Sequence, residues 1–597
     1  RKRERERKRE RERERVQGDK EVIWESLLVN NIVDPQVAAH LIDSELTEHQ
    51  LELQSLLGHF SILPLKSSDE VASDQIPSPF SSWGAGEELL GRVSRGVHTL
   101  QIEMNDVFRL HQKVVSMLES CQSLSVLRSL EMPLVPVLAV MELRGIPISV
   151  SDMSSLEGSI AQELDALTRQ AHRLADREFN LASPEQVSGV LYDKLKLPAP
   201  AKTAGGRHAS TSEEDLLRIA DKHAVVSVIL DFRTLSKIST TYLGGVKPFI
   251  YTSPTSYSVQ SGITDDSSHK EISVQRVHCC WNQTAVRTGR LSCCRPNLQS
   301  FPKNITTCRH SSLRVNARNM FRSSPGCVLV AADYSQIEMR ILAHMTADKE
   351  LCMLFRREGD IYRHLASLIL NKDVSTVDSA ERERAKVICL GVIYGMGPQA
   401  AASKLGLDVP AVNKITHAFF EKFRSIKSWL QQIKACVHKQ GYVSTLLGRR
   451  RYLNDITSQV FARRSQAERQ AVNTVIQGTA SEVIKSAMLL VEEEISRSQE
   501  LQHSMKDSHD GKLGEVSVKR NMTETEIPFH ASRLILQIHD ELVYEVDITR
   551  GQHSLLHFVN LLKTCMEQQV VHALELKIPL MVKVQTGEKW GEMQPFE

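Results

Sequence analysis

The chain lacks several features that would place a protein in a class at once. It has no run of about 18 apolar residues, the length that crosses a membrane, and its basic start has no apolar segment typical of a signal peptide. Its 11 cysteines include no C-x-x-C, and the adjacent pairs Cys279-Cys280 and Cys293-Cys294 would point to opposite faces of a strand. We therefore predict no membrane span and reduced thiols, as in a cytosolic or nuclear protein.

Net charge is also nearly absent: 74 Lys and Arg face 72 Asp and Glu, which leaves +2. This balance excludes a histone-like protein that binds nucleic acid by bulk charge, but it leaves room for a local basic cleft. The first sixteen residues alone hold ten basic and five acidic positions. We predict a solvated, disordered arm at 1–16; an arm for nuclear localisation or nucleic-acid contact is the alternative.

What the chain does have is length and ordinary globular composition. Its 597 residues predict about four domains or large subdomains, with 41% hydrophobic and 24% charged residues. Residue 1 is Arg rather than Met, which predicts a piece of a longer protein. Apolar residues at helical spacing predict helices over 130–250. The segments 252–274 and 497–530 are polar and are predicted to be exposed insertions, the second of which follows a helix that ends near Ile495.

Two carboxylate positions lie at the predicted ends of strands. The apolar run from Cys327 ends at Asp333, and Ser335-Gln-Ile-Glu338 predicts a capping box that opens a helix. Farther along, two strand-like runs are joined at His539-Asp540, a two-residue turn that is followed by Glu541. Such carboxylates could converge on Mg²⁺, and two ions would suit phosphoryl transfer. Taken singly, a helix cap and an ordinary turn are the alternatives.

One predicted helix, 378–395, carries cations at regular spacing. Arg382, Lys386, Leu390 and Tyr394 recur every four residues and share a slowly winding stripe. Two cations one turn apart match adjacent phosphates of a nucleotide, and an aromatic ring farther along can stack on a base. A surface Arg and Lys pair with a core Tyr is the alternative.

Two more segments carry side chains suited to a polar ligand such as nucleic acid. Arg290 follows a turn-forming Thr-Gly pair, and Asn297 and Gln299 come shortly afterwards. Arg469, Asn473 and Gln477 fall at i, i+4 and i+8 of an otherwise apolar helix. The run Gly448-Arg-Arg-Arg451 adds local positive charge, although taken alone it would be an ordinary basic turn.

Together these segments resemble family A DNA polymerases, and within that family the eukaryotic theta and nu enzymes. DYSQIEMR (333–340), RERAKVICLGVIYG (382–395) and QIHDELVYEV (537–546) resemble motifs A, B and C. TGRLS, PNLQ and AERQAVNTVIQGTA (467–480) resemble intervening segments, all in the family order from about Glu131 to Trp590. Chance agreement of five segments in order is very improbable.

The resemblance implies an α/β (α+β) right-hand fold with palm, fingers and thumb. The expected divisions are a charged arm at 1–16, a degenerate, truncated 3′-5′ exonuclease-like region at 17–129, and a polymerase domain at 130–597. Within that domain we expect the thumb at about 150–250 and the fingers at about 346–465, with the palm as the remainder.

By the same resemblance, two Mg²⁺ ions are bound by Asp333, Asp540 and the backbone carbonyl of Tyr334, with Glu541 in support. Lys386 is expected to protonate the leaving pyrophosphate, and Glu338 to exclude a ribose 2′-hydroxyl. The expected nucleotide-binding residues are Gln336, Glu338, Arg382, Lys386, Leu390 and Tyr394. The expected contacts to primer-template DNA are Arg290, Asn297, Gln299, Arg469, Asn473, Gln477 and His539.

Departures from the family pattern sharpen these expectations. Leu390 stands where the family usually has Phe or Tyr against the sugar, and Tyr362 where bacterial enzymes have a phosphate-contacting His. Around Val97-His98 no carboxylate stands where a late exonuclease ligand would align, so we predict no proofreading.

The leading hypothesis is a template-directed DNA polymerase of the nucleus that acts in repair or lesion bypass. The expected partners are primer-template DNA and deoxynucleoside triphosphates, with no membrane and with an upstream helicase or other domain outside this chain. A nuclease, a non-catalytic DNA-binding scaffold and a single-subunit RNA polymerase are the weaker alternatives; Glu338 disfavours the last of these.

Overall fold

The fold is seen in a computed structural model, which describes most of the chain from residue 109 onward. The described residues are 37, 40–41, 109–200, 208–257, 272–303, 306–307, 313–357, 359–509, 532–549 and 551–596. The predicted arm at 1–16 and the missing carboxylate near Val97-His98 lie outside these residues. Of the predicted exonuclease-like region only a few positions are described, including a helix at 109–120, whose Leu110, Val114 and Leu118 form a small apolar cluster with Val37 and Leu41.

The first half of the polymerase-like region is helical, as its apolar periodicity predicts. Ser149 caps the long second helix by accepting a hydrogen bond from the Asp152 amide at 3.2 Å, and Ile160, Leu167 and Ala171 line its buried face. The helices are α1 (Met132–Arg144), α2 (Val150–Ala175), α3 (Pro184–Ser188), α4 (Glu213–Arg218) and α5 (Ala224–Lys237).

The expectation of no membrane-length apolar stretch needs a correction. Among the described residues, one continuous helical stretch, Leu124–Arg144, is long and apolar enough to cross a membrane by length and composition alone. It packs Leu127, Leu134 and Met141 into the protein interior. It also holds Glu131 in a buried ion cluster with distant parts of the chain. These contacts make it a core helix of the folded domain.

Short antiparallel strands follow the helices. β1 (Ile146–Pro147), β3 (Ile272–Val277) and β2 (Ile250–Tyr257) form one small sheet in that order. Strand β2 reaches Tyr257, so the segment predicted as an exposed insertion at 252–274 begins and ends in strand. β4 (Cys280–Asn282) pairs with β5 (Ser292–Cys294), and β6 (Thr306–Thr307) pairs with β7 (Arg314–Val315).

A five-stranded antiparallel sheet forms the centre of the molecule. Its order is β11 (Arg533–Ile538), β12 (Glu541–Asp547), β8 (Cys327–Tyr334), β13 (Val582–Gly587) and β14 (Gln594–Pro595). The run Leu329–Ala332 of the middle strand is buried on both faces, because helices cover the sheet. Strands β11 and β12 are joined at His539-Asp540, which confirms the predicted two-residue turn.

Helices occupy most of the chain between β8 and β11. They are α6 (Ile337–Thr346), α7 (Lys349–Leu354), α8 (Ile361–Leu370), α9 (Ser379–Tyr394), α10 (Pro398–Leu405), α11 (Val409–Lys422), α12 (Arg424–Gln440) and α13 (Phe461–His509), with the hairpin β9 (Tyr442–Ser444) and β10 (Arg450–Tyr452) before α13. After the sheet hairpin come α14 (Gln552–Lys563) and α15 (Val570–Ala573). The predicted helix end near Ile495 is wrong, because α13 continues to His509.

A buried ion cluster ties the start of α1 to the β9–β10 hairpin and to α13. The Glu131 carboxylate accepts hydrogen bonds from Lys485 Nζ at 2.8 and 2.9 Å and pairs with Arg449; all three side chains are at most 3% exposed. Gln283 adds a further donor at 2.8 Å. The local positive charge expected at Gly448-Arg-Arg-Arg451 therefore lies partly inside the protein, since Arg449 and Arg451 are buried.

Candidate active site

The predicted carboxylates of β8 and β12 meet at one end of the central sheet. Asp333 and Glu541 are directly opposite each other in the antiparallel register, and Asp540 lies beside them in the turn. The Tyr334 amide donates to the Asp540 carbonyl oxygen at 3.1 Å, which fixes the turn against the middle strand. Residues 207 positions apart along the chain thus form one cluster.

The carboxylate cluster is short of compensating positive charge. Burial raises the pKa of Asp333 and of Glu541, while Lys303 opposes the shift in both. Burial, together with repulsion from Glu338 and Asp333, raises the pKa of Asp540 to about 6 although Arg290 opposes the shift. Like charges directly opposite in a sheet destabilise it, so this arrangement favours a bound cation.

The start of α6 differs from the predicted capping box. Ser335 does not cap the helix; Gln336 precedes it with a left-handed backbone (φ 48°) and makes no side-chain cap. Glu338 instead turns toward the cluster, where its two oxygens accept hydrogen bonds from Arg290 Nη2 at 3.1 Å and from the Tyr394 hydroxyl. These two donors hold the Glu338 carboxylate in one orientation.

The donor set suits a hard divalent cation that also binds a ligand. Within the described part of the chain, no three His, Cys, Asp or Glu side chains converge closely enough to hold an ion by themselves. Mg²⁺, however, is usually bound by one or two protein carboxylates and completed by substrate phosphates and water. Asp333 and Asp540 match that requirement, and burial raises the pKa of both carboxyl groups.

Helix α9 carries the predicted cation stripe and begins with a capping box of its own. The Glu381 amide donates to Asp378 Oδ1 at 2.7 Å, and the Asp378 amide donates to Glu381 Oε2 at 3.2 Å. Farther along, Arg382 Nε donates to Asp360 Oδ2 at 2.6 Å. The predicted helix is therefore confirmed, and Arg382, the first cation of its stripe, pairs with Asp360.

One glutamate lies between the two predicted phosphate ligands. Glu383 Oε2 is 3.5 Å from Arg382 Nη1, and Glu383 Oε1 is 3.5 Å from Lys386 Nζ. The Arg382 and Lys386 side chains are 32% and 39% exposed, so both remain accessible to a ligand from solvent. A negative group that binds both cations would compete with Glu383 for them.

The end of α9 packs against the polar stripe of α13. A Cβ atom on Gly395 would lie 2.5 Å from Arg469 Cγ, so only glycine fits this contact, and its φ of 61° is also one that glycine favours. Tyr394 hydrogen-bonds Gln477, and burial with the neighbouring Glu338 raises the Tyr394 pKa well above its usual value. Asn473 Oδ1 is buried without a hydrogen-bond partner, and Leu390 is half-buried against the core.

The remaining predicted DNA contacts divide into two kinds. Asn297 and His539 are exposed, His539 with a left-handed backbone at φ 54°. Gln299 is instead used inside the protein: its Nε2 donates to Leu291 and Gln537 oxygens at 3.2 Å, and its Oε1 accepts from the Cys293 amide. Gln299 thus braces the site and is not a free amide.

Sequence reasoning missed four charged residues of this region. Asp360 is the N-cap of α8, and its Oδ1 accepts hydrogen bonds from the Tyr362 and Arg363 amides. An Asp directly before an apolar helix start is a recognisable cap, so the sequence did contain a signal for this residue. Lys583 stands opposite Asp333 in the register with β13, and Lys303 acts on both Asp333 and Glu541. Glu383 lies within the segment that resembles motif B, but it is not one of the residues that recur every four positions along α9.

This geometry defines a class of protein: an antiparallel sheet with clustered carboxylates at its strand ends, beside a cationic helix, is the architecture of a right-hand polymerase. A sequence model described as DNA polymerase family A matches residues 150–592. The chain belongs to DNA polymerase family A. The predicted α/β right-hand fold is thereby confirmed.

Curated relatives agree with the family. The chain is similar to DNA polymerase I of Pseudomonas aeruginosa (32% identical, over 94% of this chain and 53% of that one) and of Bacillus subtilis (30%, over 90% and 55%). It is also 33% identical to the thermostable DNA polymerase I of Thermus aquaticus, over 78% of this chain and 48% of the relative. The chain therefore spans about half the length of these relatives, and those named here are bacterial.

A solved structure has the same fold. It is the POL domain of Pol1 from M. smegmatis in complex with DNA primer-template and dNTP. The match has a TM-score of 0.70 and 26% sequence identity, and it covers 94% of this chain and 82% of that one.

Proposed function

We propose that the protein is a template-directed DNA polymerase, which adds deoxynucleotides to the 3′-hydroxyl of a primer. The observation that carries the proposal is the register of β8 and β12, which brings Asp333, Glu541 and Asp540 together. Family membership and the solved relative bound to primer-template and dNTP support the same reaction and the same two partners. In the proposed step the primer oxygen attacks the α-phosphate and pyrophosphate leaves.

Each part of the site has a role in this proposal. Asp333, Asp540 and the Tyr334 carbonyl would hold two Mg²⁺ ions, which lower the pKa of the attacking hydroxyl and neutralise charge on the phosphates. Arg382 and Lys386 bind the triphosphate, and Lys386 supplies a proton to the leaving pyrophosphate. Glu338, held by Arg290 and Tyr394, occupies the space that a 2′-hydroxyl requires.

The DNA contacts are assigned to exposed and half-buried polar side chains near the cluster. We assign the primer-template path to Arg290, Asn297 and His539 near the turn and to the α13 stripe of Arg469, Asn473 and Gln477. Gln299 acts indirectly by bracing β5 against β11. In this proposal the helices at about 150–250 form the thumb, those at about 346–465 form the fingers, and the sheet belongs to the palm.

Finer statements remain predictions from sequence. Motif B and the polar segment at 497–530 resemble the theta enzymes, and the compact segment at 303–320 resembles nu, whereas the relatives named above are bacterial. Four further proposals rest on the sequence alone: a nuclear location, a role in repair or lesion bypass, the absence of proofreading, and an upstream helicase-like domain.

A second candidate is a DNA-binding scaffold without activity. It is favoured by two observations. Arg382 is engaged by Asp360, and Leu390 stands at the position where the family usually has an aromatic residue. Nucleotide would then bind weakly or not at all, although the carboxylates remain.

Primer extension with Mg²⁺ distinguishes the two candidates. We expect the wild type to extend a primer with deoxynucleotides and not with ribonucleotides. Asp540→Asn should lower activity on the order of 10³-fold, because it replaces a charged metal ligand by a neutral side chain of similar shape. Asp547→Asn, at the far end of β12, is the matched control and should retain activity. Extension that survives Asp540→Asn contradicts the site, and no extension by any form supports the scaffold.

A further inference from the structure

Four cysteines meet on the small β4–β5 hairpin, a feature that DNA synthesis does not use. Cys280 of β4 and Cys294 of β5 are directly opposite each other in the antiparallel register. The next residues inward, Cys279 and Cys293, lie on the other face of the hairpin and are 3% and 1% exposed. The chain therefore has an outer and an inner cysteine pair at one place, and all four thiols are free.

Neighbouring hydrogen bonds show which kind of cross-strand pair the outer cysteines form. The Trp281 amide donates to Glu142 Oε1 at 2.5 Å, and the Cys293 amide donates to Gln299 Oε1 at 3.1 Å. Both amides thus point away from the partner strand, so Trp281 and Cys293 are a non-hydrogen-bonded pair and Cys280 and Cys294 are a hydrogen-bonded one. The Cα atoms of such a pair are about 5.5 Å apart, within the range of about 4.4–6.8 Å that a disulfide spans. Their Cβ atoms, about 4.5–5.5 Å apart in directly opposite pairs, would have to approach by up to about 1 Å when the bond forms.

The outer thiols are also accessible and close to each other. Both Cys280 and Cys294 are half-buried, and Cys294 Sγ lies 3.6 Å from the Cys280 carbonyl oxygen. Burial and the neighbouring Cys280 raise the pKa of Cys294, which lowers the thiolate fraction of Cys294 at neutral pH. The inner thiols hydrogen-bond each other but are closed off from solvent.

We propose that Cys280 and Cys294 are a thiol modification site, which forms a cross-strand disulfide on reaction with a small-molecule disulfide. In the first step the Cys280 thiolate attacks one sulfur of the reagent, and one thiolate of the reagent leaves. In the second step the Cys294 thiolate attacks the Cys280 sulfur of the mixed disulfide and expels the second thiolate. The reagent gains two electrons, the protein loses two, and the two thiol protons pass to solvent.

The bond would close the loop that carries Arg290. Residues 283–291 connect the two strands, and Arg290 at the end of this loop contacts Glu338 and lies 3.9 Å from Asp540. A covalent link at the base of a loop restricts its opening. Oxidation would therefore make this segment less able to move, whatever reaction the nearby site performs.

Two double variants separate the outer pair from the inner one. Each protein is incubated with glutathione disulfide, the remaining free thiols are alkylated, and the peptides are mapped without reduction. We expect a link in the wild type and in Cys279→Ala/Cys293→Ala, and none in Cys280→Ala/Cys294→Ala. Cys436, an exposed cysteine of α12, is the internal control and should carry only glutathione.

A single variant tests the order of the two steps. Cys294→Ala should accumulate glutathione on Cys280, because the thiol that resolves the mixed disulfide is missing. Absence of the link in the wild type, or a link that persists in Cys280→Ala/Cys294→Ala, would overturn the proposal. A link between two protein molecules in place of one within the chain would overturn it as well.

Hydrogen exchange tests the structural consequence in a way that is independent of polymerase activity. We expect amides of 283–291 to exchange about tenfold more slowly in the oxidised protein than in the reduced one, because the strands can no longer separate. The double variant Cys280→Ala/Cys294→Ala should show no difference between the two conditions. Equal exchange rates in the linked and unlinked wild type would contradict the tether.

Discussion

Two clusters of this protein contain the same kinds of charged residue but differ in their surroundings. In the buried cluster, Glu131 pairs with Arg449 and Lys485, and the side chains are 1–3% exposed. In the exposed cluster, Glu383 lies between Arg382 and Lys386, with side chains that are 32–53% exposed. One carboxylate, one guanidinium and one ammonium group are present in each.

The difference teaches that burial decides what such a cluster can do. Separating buried charges leaves an uncompensated charge in a medium of low dielectric, so the first cluster holds α1, the β9–β10 hairpin and α13 together. Water screens the second cluster, so its pairs contribute little to stability and can be exchanged for a ligand. The following four experiments test this contrast, from the largest expected effect to the smallest.

The buried cluster should respond to loss of the Glu131 carboxylate, which pairs directly with both cations. Glu131→Gln leaves Arg449 and Lys485 without their counter-charge, and we expect the free energy of unfolding to fall by about 3–5 kcal/mol. Urea denaturation measures it. Glu421→Gln, which breaks an exposed pair with Arg424, is the control and should change stability by less than about 0.5 kcal/mol. Equal effects of the two variants would contradict the comparison.

The exposed cluster should respond in activity and not in stability. Arg382→Ala removes a charge-assisted contact to the triphosphate, and we expect kcat/KM for nucleotide in primer extension to fall about 10²-fold. Its unfolding free energy should change by less than about 1 kcal/mol. Arg384→Ala, on the same helix but off the stripe, is the matched control. An Arg382→Ala protein with normal kinetics and reduced stability would reverse the assignment.

The pH dependence of the unfolding free energy should differ between variants of the buried region and variants of the exposed one. Burial raises the pKa of Glu482, whose neighbours include Glu131, from 4.5 to about 7. Between pH 4.5 and 7 the folded state therefore binds more protons than the unfolded state, so this residue makes stability fall as pH rises. The slope should approach about 1.4 kcal/mol per pH unit.

Glu482→Gln should remove this contribution and leave a flatter profile between pH 4.5 and 7. Glu421→Gln should keep the slope of the wild type, since its carboxylate is exposed. Denaturation midpoints at several pH values provide the measurement, and identical slopes for wild type and Glu482→Gln would contradict the assignment.

The smallest effect concerns the competition between Glu383 and the nucleotide. Glu383→Gln removes a negative charge 3.5 Å from both cations, and we expect KM for deoxynucleotide to fall about threefold while kcat is kept. The effect should shrink as salt is added, because screening weakens exposed pairs. Glu421→Gln again serves as the control, and a raised KM for Glu383→Gln would mean that the glutamate positions the cations.

Features set by local periodicity could be predicted from the sequence. The helix that bears Arg382, the two-residue turn at Asp540 and the buried strand ending near Asp333 all follow from spacing and residue type, because each depends on neighbours along the chain. The right-hand fold followed from the order of the motifs.

Features set by distant contacts could not be predicted in this way. Arg449 reads as a surface cation until Glu131, 318 positions away, is placed beside it. Ser335 looked like a helix cap, but the strand continues through Tyr334 and the backbone reverses at Gln336. The last turns of α13 looked like a polar loop, yet Arg497 pairs with Glu493 and Glu494 on the helix surface.

The length of the two-residue turn between β11 and β12 limits which insertions and deletions the protein can tolerate. Because side chains alternate along a strand, an inserted residue between Ile538 and Glu541 that moved β12 by one position against β8 would turn Glu541 to the opposite face. Asp333 would then face a different neighbour although no catalytic residue had been replaced. Insertions or deletions that change this register should therefore be as harmful as substitutions of the carboxylates themselves.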